Sequence, residues 1–549
     1  MRGSLLVLAS YLGVVALFSW PALSFQGLPL RHFDLYPAVW LLEVAPEAFP
    51  RMLYGQTAWP FGESLVRIDS YLLLLIGWLN QGVLSGATLA CALAWLGPAL
   101  SATAAEGVTF HVFKVPRPYS WIAGTAFACS GIAAVALLEG HVYHLLNPWM
   151  PLLLGFLWRG TSLGGRAWHG LVAGLFWALC LYTTAYLGVG ATLLGFWVFL
   201  RAPWRGLKLL PSFLLTALPP ALYYVWLFRL GGSWADNAPL QPGRILDTGG
   251  NSLLGMLGPS AEIDLSGHSL VAPPGFLMLF LWMLAPRILV NKTGWRWLSA
   301  GALLFLLMSF GATFRVLPGG EGLPSPLRTL QIFHELELFR FPLRLLWPFG
   351  LLAGVVAARA AAQLRDRRLL VLAFVDVFLS TGMPFRQQQA VAEIPSVYSK
   401  LSADVAVLDI YGEVIGPTSG DWKMRLRGLG CYYQGSHQRR LPELCIGTAI
   451  SSPRERLSQW FVAQATDSAG LDLQDQQRLS SWGIGAIVLH LDSLRPADVR
   501  GLQEKLSEAL GPPFAESKDG GERLEVFTLS SAQPDVSEQR RSMKTLYGR

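Results

Sequence analysis

Apolar runs recur along the chain as far as Leu379, and no other feature so limits what it can fold into. A helix crosses a bilayer with about 17–25 apolar residues. Runs of this kind are drawn at Leu5–Leu23, Val83–Leu100, Trp121–Leu138, Pro148–Trp158 with its flanks, His169–Tyr182, Gly188–Leu200, Leu209–Phe228, Phe276–Val290, Leu298–Phe310, Leu345–Ala362 and Leu369–Leu379. They make about eleven spans, several of them short. Tyr71–Leu79 reads as an interfacial or re-entrant helix. Charged residues are 14% of the 549, against about 25% in soluble domains. The sequence therefore predicts an α-helical polytopic membrane protein. A signal peptide cut at Ala22-Leu23-Ser24 competes for the first run, but a retained helix is the simpler start because more spans follow.

Basic residues fix an orientation. Arg2 and the loops with Lys114/Arg117, Arg159/Arg166, Arg201/Arg205/Lys208, Arg287/Lys292/Arg296 and Arg365/Arg367/Arg368 alternate along the chain, which marks their side as cytoplasmic. The opposite side receives the loop after the first run, the 139–147 and 183–186 turns, and the 231–274 and 312–340 loops. An odd number of spans also puts everything after Gly382 outside. Most acids and histidines fall on that outer side, so chemistry is expected there. The net charge of +7 comes without a basic, aromatic-interleaved stripe, which speaks against nucleic acid as a partner.

Residues 1–383 form the transmembrane domain in this reading. Residues 384–530 have a soluble composition and read as a small extracytoplasmic α/β domain. Its strands are Val405–Ile410, Ile484–His490 and Leu524–Leu529, with an amphipathic helix at Pro496–Leu510. Residues 531–549 are a polar tail, expected to be disordered. Cys91, Cys129 and Cys180 lie in apolar runs and read as packing residues. Cys431 and Cys445 either pair as a disulfide outside the cytoplasm or remain two thiols.

Leu30-Arg31-His32-Phe33-Asp34-Leu35-Tyr36 opens what reads as a hydrophilic loop reaching to Asp69. Asp34 stands where hydrocarbon gives way to water, so desolvation can raise its pKa while substrate still reaches it. Glu63, Asp69, Trp40 and Trp59 follow in the same loop. Carboxylates with aromatic neighbours suit a sugar cleft, although Glu63 and Asp69 equally suit helix caps. Glu139, His141 and His144 gather at the next outer turn. The i, i+3 histidines are candidate metal ligands, or they line a diphosphate or sugar, or they only hydrogen-bond at the interface. Arg340 and Arg344, four apart, are placed to clamp a phosphate or to snorkel to lipid headgroups. Asp376, in the last span, must face protein or water. The chain has no P-loop, no G-x-S-x-G elbow and no strand-to-helix G-x-G-x-x-G.

These features fall in one order: an outer Asp after the first span, Pro-Phe-Gly and a later Asp, Glu-Gly-His with Asn-Pro-Trp-Met-Pro-Leu, Tyr-Thr-Thr-Ala-Tyr-Leu-Gly, then Leu-Phe-Arg-Phe-Pro-Leu-Arg. In this the chain resembles bacterial polytopic glycosyltransferases of the GT-C fold, and among them the YfhO-like membrane proteins. Val-Leu-Asp-Ile, Tyr432-Tyr-Gln-Gly-Ser-His437 and Gly-Ile-Gly-Ala-Ile-Val-Leu-His490 resemble their extracytoplasmic domain. The resemblance implies a multi-pass protein of the bacterial inner membrane, with its N-terminus cytoplasmic and its C-terminal domain periplasmic. It implies a polyprenyl-phosphate sugar donor, a glycan, lipid or protein acceptor, and Asp34 as catalytic base. Glu63, Asp69, Glu139, His141, His144, Arg340 and Arg344 are the substrate-binding candidates. Asp34 lacks the adjacent second acid of some relatives, so a divalent cation (Mg or Mn) stays open, with Asp34, Glu139, His141 and His144 as candidate ligands. The competing functions are a transporter or flippase of lipid-linked glycans, which calls for ionisable groups through the spans and inverted repeats, and a non-catalytic subunit of an envelope assembly.

Overall fold

The protein's structure, a computed structural model, describes residues 2–18, 27–28, 35–49, 53–54, 63–64, 70–129, 131–138, 140–230, 275–289, 293–310, 313–315, 322–324, 342–381, 390–391, 394–401, 405–410, 433–434, 461, 471–492, 496–518 and 523–529. The Cys431/Cys445 question, the 231–274 loop and the 531–549 tail lie outside the described residues.

The chain opens with α1 (Arg2–Phe18), strand β1 (Gly27–Leu28) and α2 (Leu35–Ala48). A short hairpin, β2 (Leu53–Tyr54) and β3 (Glu63–Ser64), leads to α3 (Tyr71–Asn80). The bundle continues with α4 (Gly86–His111), α5 (Ser120–Ala128), α6 (Gly131–Leu138), α7 (Trp149–Gly160), α8 (Ala167–Thr183), α9 (Ala185–Arg201), α10 (Pro203–Leu230), α11 (Phe276–Ile288) and α12 (Thr293–Ser309). After the hairpin β4 (Thr313–Arg315) and β5 (Gly322–Pro324) come α13 (Leu346–Leu364) and α14 (Arg368–Thr381). Every apolar run read from the sequence thus contains helix. Among the described residues, four helical stretches are long and apolar enough to cross a membrane, and shorter apolar helices accompany them. The protein is a multi-pass membrane protein.

The loop read from Asp34 to Asp69 needs correction, because Leu35–Ala48 is helix with Leu35, Val39, Trp40 and Leu42 buried. The Glu43 carboxylate accepts the Gly86 N–H at 2.5 Å and so caps the start of α4. Burial raises the Glu43 pKa despite that bond. Asp376 is likewise a cap: its Oδ2 accepts the Leu277 N–H at 2.9 Å, at the start of α11. That bond meets the need of a buried acid for a protein partner.

Small residues let the helices approach. Within a bilayer, helix association depends on packing rather than on water expulsion, so close backbone contact matters. Gly170 and Gly174 of α8 receive Ser212 and Thr216 of α10, and the Thr216 hydroxyl donates to Leu171 O at 2.7 Å. Gly350 and Gly354 of α13 lie against Ala126 and Ala123 of α5.

The C-terminal part adds β6 (Ala390–Val391), β7 (Ala406–Ile410), α15 (Leu473–Ser481), β8 (Ile484–His490), α16 (Pro496–Leu510), β9 (Ala515–Ser517) and β10 (Leu524–Thr528). The sheet order is β7-β8-β10-β9, with β7 parallel to β8 and the other pairs antiparallel. A register shift lies between Ala406 and Val407, opposite Gly485, where a Cβ would strike the Val405 side chain. Beyond it the strands alternate. Leu408, Ile410, Ile487, Leu489 and Phe527 pack with Leu479, Leu502 and Leu506 of α15 and α16. Val407, Ala486, Val488, Leu524 and Val526 belong instead to the main core, together with Val397, Tyr398 and the bundle helices. The sheet is therefore covered on both faces.

Candidate functional site

Three chain turns meet at one end of the bundle. The first is a 3-10 turn, Val142–Leu145. Gly140 precedes it with φ +73°, and a Cβ there would strike the Leu35 backbone. This close approach seats the turn against the first residue of α2. Leu35 follows Asp34 in the sequence, and Gly140 follows Glu139. Helix α4 supports the turn from below. Ser101 Oγ donates to Leu145 O at 2.8 Å and accepts the Asn147 N–H at 2.8 Å, while Gly97 leaves room for the Leu145–Leu146 backbone.

The turn presents two histidines, both buried. Their rings stack at 4.8 Å with 9° between planes, and Tyr143 stands edge-on to each. The second turn is the break between α8 and α9, where Thr184 is extended and Tyr186 enters the first turn of α9. The third is the 3-10 turn Pro342–Leu345, which carries Arg344. The Arg344 guanidinium lies 3.7 Å from the centre of the Tyr186 ring, a cation–π contact that holds the planar fork in place. Burial, then the Arg344 charge, then His141 push the His144 pKa well below the ordinary histidine value, so His144 is neutral.

Among the described residues, His144 Nε2, Asn147 Nδ2 and Thr184 Oγ1 are buried here with no hydrogen-bond partner. Leaving such an atom unsatisfied costs about 1–3 kcal/mol, so each is a group that a bound oxygen-rich ligand would satisfy. A fixed guanidinium beside a neutral imidazole and an amide suits an anion with several acceptor oxygens, such as a phosphate.

Of the residues singled out from sequence, the structure thus brings Arg344 to His141 and His144. Asp34, Asp69, Glu139 and Arg340 lie outside the described residues. Glu63 is placed only as backbone, in β3 opposite Tyr54. Among the described residues no group of three His, Cys, Asp or Glu could hold a metal. The described half of the metal candidates, His141 and His144, fits a divalent cation poorly. Their rings lie flat against each other, and the Arg344 charge stands beside them. Sequence reading gave no site role to Tyr186, Thr184 or Ser101. Asn147-Pro148 and the Thr-Thr-Ala-Tyr turn were visible as helix-break signals, but nothing in the sequence paired Tyr186 with Arg344.

No family model matches the sequence, and no curated protein matches it. Solved structures do match. The arabinofuranosyltransferase AftD from Mycobacteria matches over 97% of this chain and 40% of its own, at 15% identity and TM-score 0.56. A mutant of that protein gives 97%, 42%, 15% and 0.57. ArnT from Cupriavidus metallidurans, bound to undecaprenyl phosphate, matches over 97% of this chain and 99% of its own, at 12% identity. Its TM-score is 0.44. The chain spans about 40% of the length of the arabinofuranosyltransferase, and at 15% identity the likeness is one of fold. The chain thus shares the fold of this mycobacterial glycosyltransferase, the GT-C fold that the sequence leads one to expect.

Proposed function

We propose that the protein is a membrane glycosyltransferase that moves a sugar from a polyprenyl-phosphate donor to an acceptor hydroxyl on the outer face of the membrane. One observation carries this reading. A guanidinium fixed on Tyr186, a neutral His144 and unsatisfied buried amide and hydroxyl groups gather at the end of a GT-C bundle, against the residue that follows Asp34.

In this reading Asp34 takes the proton of the acceptor hydroxyl as its oxygen bonds the anomeric carbon. The bond from that carbon to the phosphate oxygen breaks, and its electron pair leaves with the polyprenyl phosphate. The anomeric configuration inverts. General-base help of this kind contributes about 10²–10⁴-fold. Arg344, with Arg340, offsets the charge that grows on the leaving phosphate. Glu139, His141 and His144 line the same side, and Glu63 and Asp69 belong to the acceptor approach. The prenyl tail stays between helices, and the acceptor is a glycan, lipid or protein. The N-terminus is cytoplasmic and the C-terminal domain periplasmic. No step is routed through a metal.

The test uses full-length protein in lipid nanodiscs with undecaprenyl phosphate as probe. Wild type binds it, and Arg344→Ala weakens binding at least about tenfold, the loss of a charge-assisted contact. Asp34→Asn keeps the binding but abolishes transfer from the corresponding phosphate sugar. Equal binding by Arg344→Ala, or wild-type transfer by Asp34→Asn, rejects the assignment.

A further inference from the structure

The stretches on either side of Asp34 in the sequence are both held by the C-terminal part of the chain. Upstream, β1 pairs antiparallel with β6, Gly27 opposite Val391 and Leu28 opposite Ala390. Downstream, on α2, the Trp40 indole N–H donates to Gln434 Oε1 at 2.8 Å. Trp40 and Gln434 are both 0% exposed.

Gln434 is itself anchored to the sheet. The ring of its neighbour Tyr433 lies parallel to His490 at 6.5 Å and 8°, and 5.5 Å from Tyr398. The Tyr398 hydroxyl donates to Asp409 Oδ1 at 2.7 Å, and His490 Nε2 stands 3.2 Å from the same oxygen. Asp409 is on β7 and His490 on β8, and both point from the sheet face that joins the main core. All of these side chains are buried. A buried hydrogen-bonded network rigidifies what it joins, because each broken bond strands a desolvated group.

Trp40 also belongs to an apolar cluster with Leu41, Val44, Ala45, Ala48 and Leu74. Apolar contact has no preferred direction, so the rotation of α2 depends on its hydrogen bonds, Glu43 with Gly86 toward α4 and Trp40 with Gln434 toward the C-terminal part. A hydrogen bond has narrow geometry and does fix it.

We propose that the C-terminal domain clamps the Asp34 segment from both ends, with Gln434 as the positioning residue that sets α2 through Trp40. The tether stands on its own geometry, and its catalytic consequence rests on the reading of Asp34 given above. The domain is then part of the membrane-embedded machinery rather than an appendage, and losing it would displace the base.

Hydrogen–deuterium exchange of the full-length protein in nanodiscs tests this. Gln434→Met removes the acceptor at nearly constant volume. It speeds exchange of the α2 amides 39–45 about tenfold through local opening, and leaves α4, α5 and α13 unchanged. Trp40→Phe speeds the same amides. The double variant Trp40→Phe/Gln434→Met is no worse than either single one, because both remove one bond. Unchanged exchange at 39–45, additive effects in the double variant, or a rise spread evenly over α4, α5 and α13 overturns the proposal. Undecaprenyl phosphate binding by wild type in the same nanodiscs is read separately. A failed tether and a failed donor assignment therefore give different results.

Discussion

Helices α10 and α13 have nearly equal hydropathy and opposite surroundings. Protein covers 11% of the apolar window of α10 and 83% of that of α13. The difference lies in side-chain size. Helix α13 carries Gly350, Ala353, Gly354, Ala357, Ala358, Ala360 and Ala361, which admit neighbouring backbones. Helix α10 shows large apolar residues outward: Leu215, Leu218, Leu222 and Trp226 are all exposed on the protein surface. Hydropathy reports that a helix leaves water. It does not report whether protein or lipid receives it, because the two are about equally apolar. Small residues in runs are the readable sign of a protein-facing helix.

The sharpest way to break this contrast is Gly354→Leu. A side chain there meets Ala126 Cβ at 3.0 Å and the Ala123 backbone at 3.3 Å. Overpacking at such a contact is expected to cost about 3 kcal/mol or more, read as a lowered thermal midpoint in detergent. An unchanged midpoint would mean that α13 does not pack on α5 this way.

Acid tests the same contrast through His144, which sits at the buried end. Its folded pKa lies below the unfolded value of about 6.5. As pH falls through that value the unfolded chain takes up the proton first, so stability drops. The slope is at most about 1.4 kcal/mol per pH unit, and it ends once the folded pKa is passed. Melting curves from pH 7.5 to 5.5 should show the drop in wild type and a shallower one in His144→Leu. Equal slopes would remove His144 from the account.

The smallest effects belong to α10. Thr216→Val removes a hydrogen bond to α8 and should cost about 0.6 kcal/mol, the usual value for such bonds in membranes. Leu215→Ala, at a position 69% exposed, should stay within about 0.5 kcal/mol. A larger loss at Leu215 would show that protein, not lipid, covers that face.

Much of the scaffold was legible. Apolar length alone located the bundle helices, since a bilayer forces backbone bonding within each segment. Short apolar, β-branched runs located β7, β8 and β10, and helical periodicity located α16. Helix α2 reads as loop from sequence because Glu43 looks like a loop residue until it is seen capping α4. Strands β1 and β6 are two residues each and carry no pattern that a sequence could show. At the site, His141 and His144 drew notice as an i, i+3 pair. Tyr186 did not, because a lone interfacial tyrosine looks like any other.

The sequence by itself determined that this chain lives in a membrane, where its helices lie and where its polar turns fall, because those depend on local composition and spacing. Tertiary structure decided which turns meet. Arg344 reaches Tyr186, and Gln434 reaches Trp40, across separations that no local rule spans. Contacts of that kind form only when packed helices, close enough to touch at their glycines, bring distant segments to the same end of the bundle.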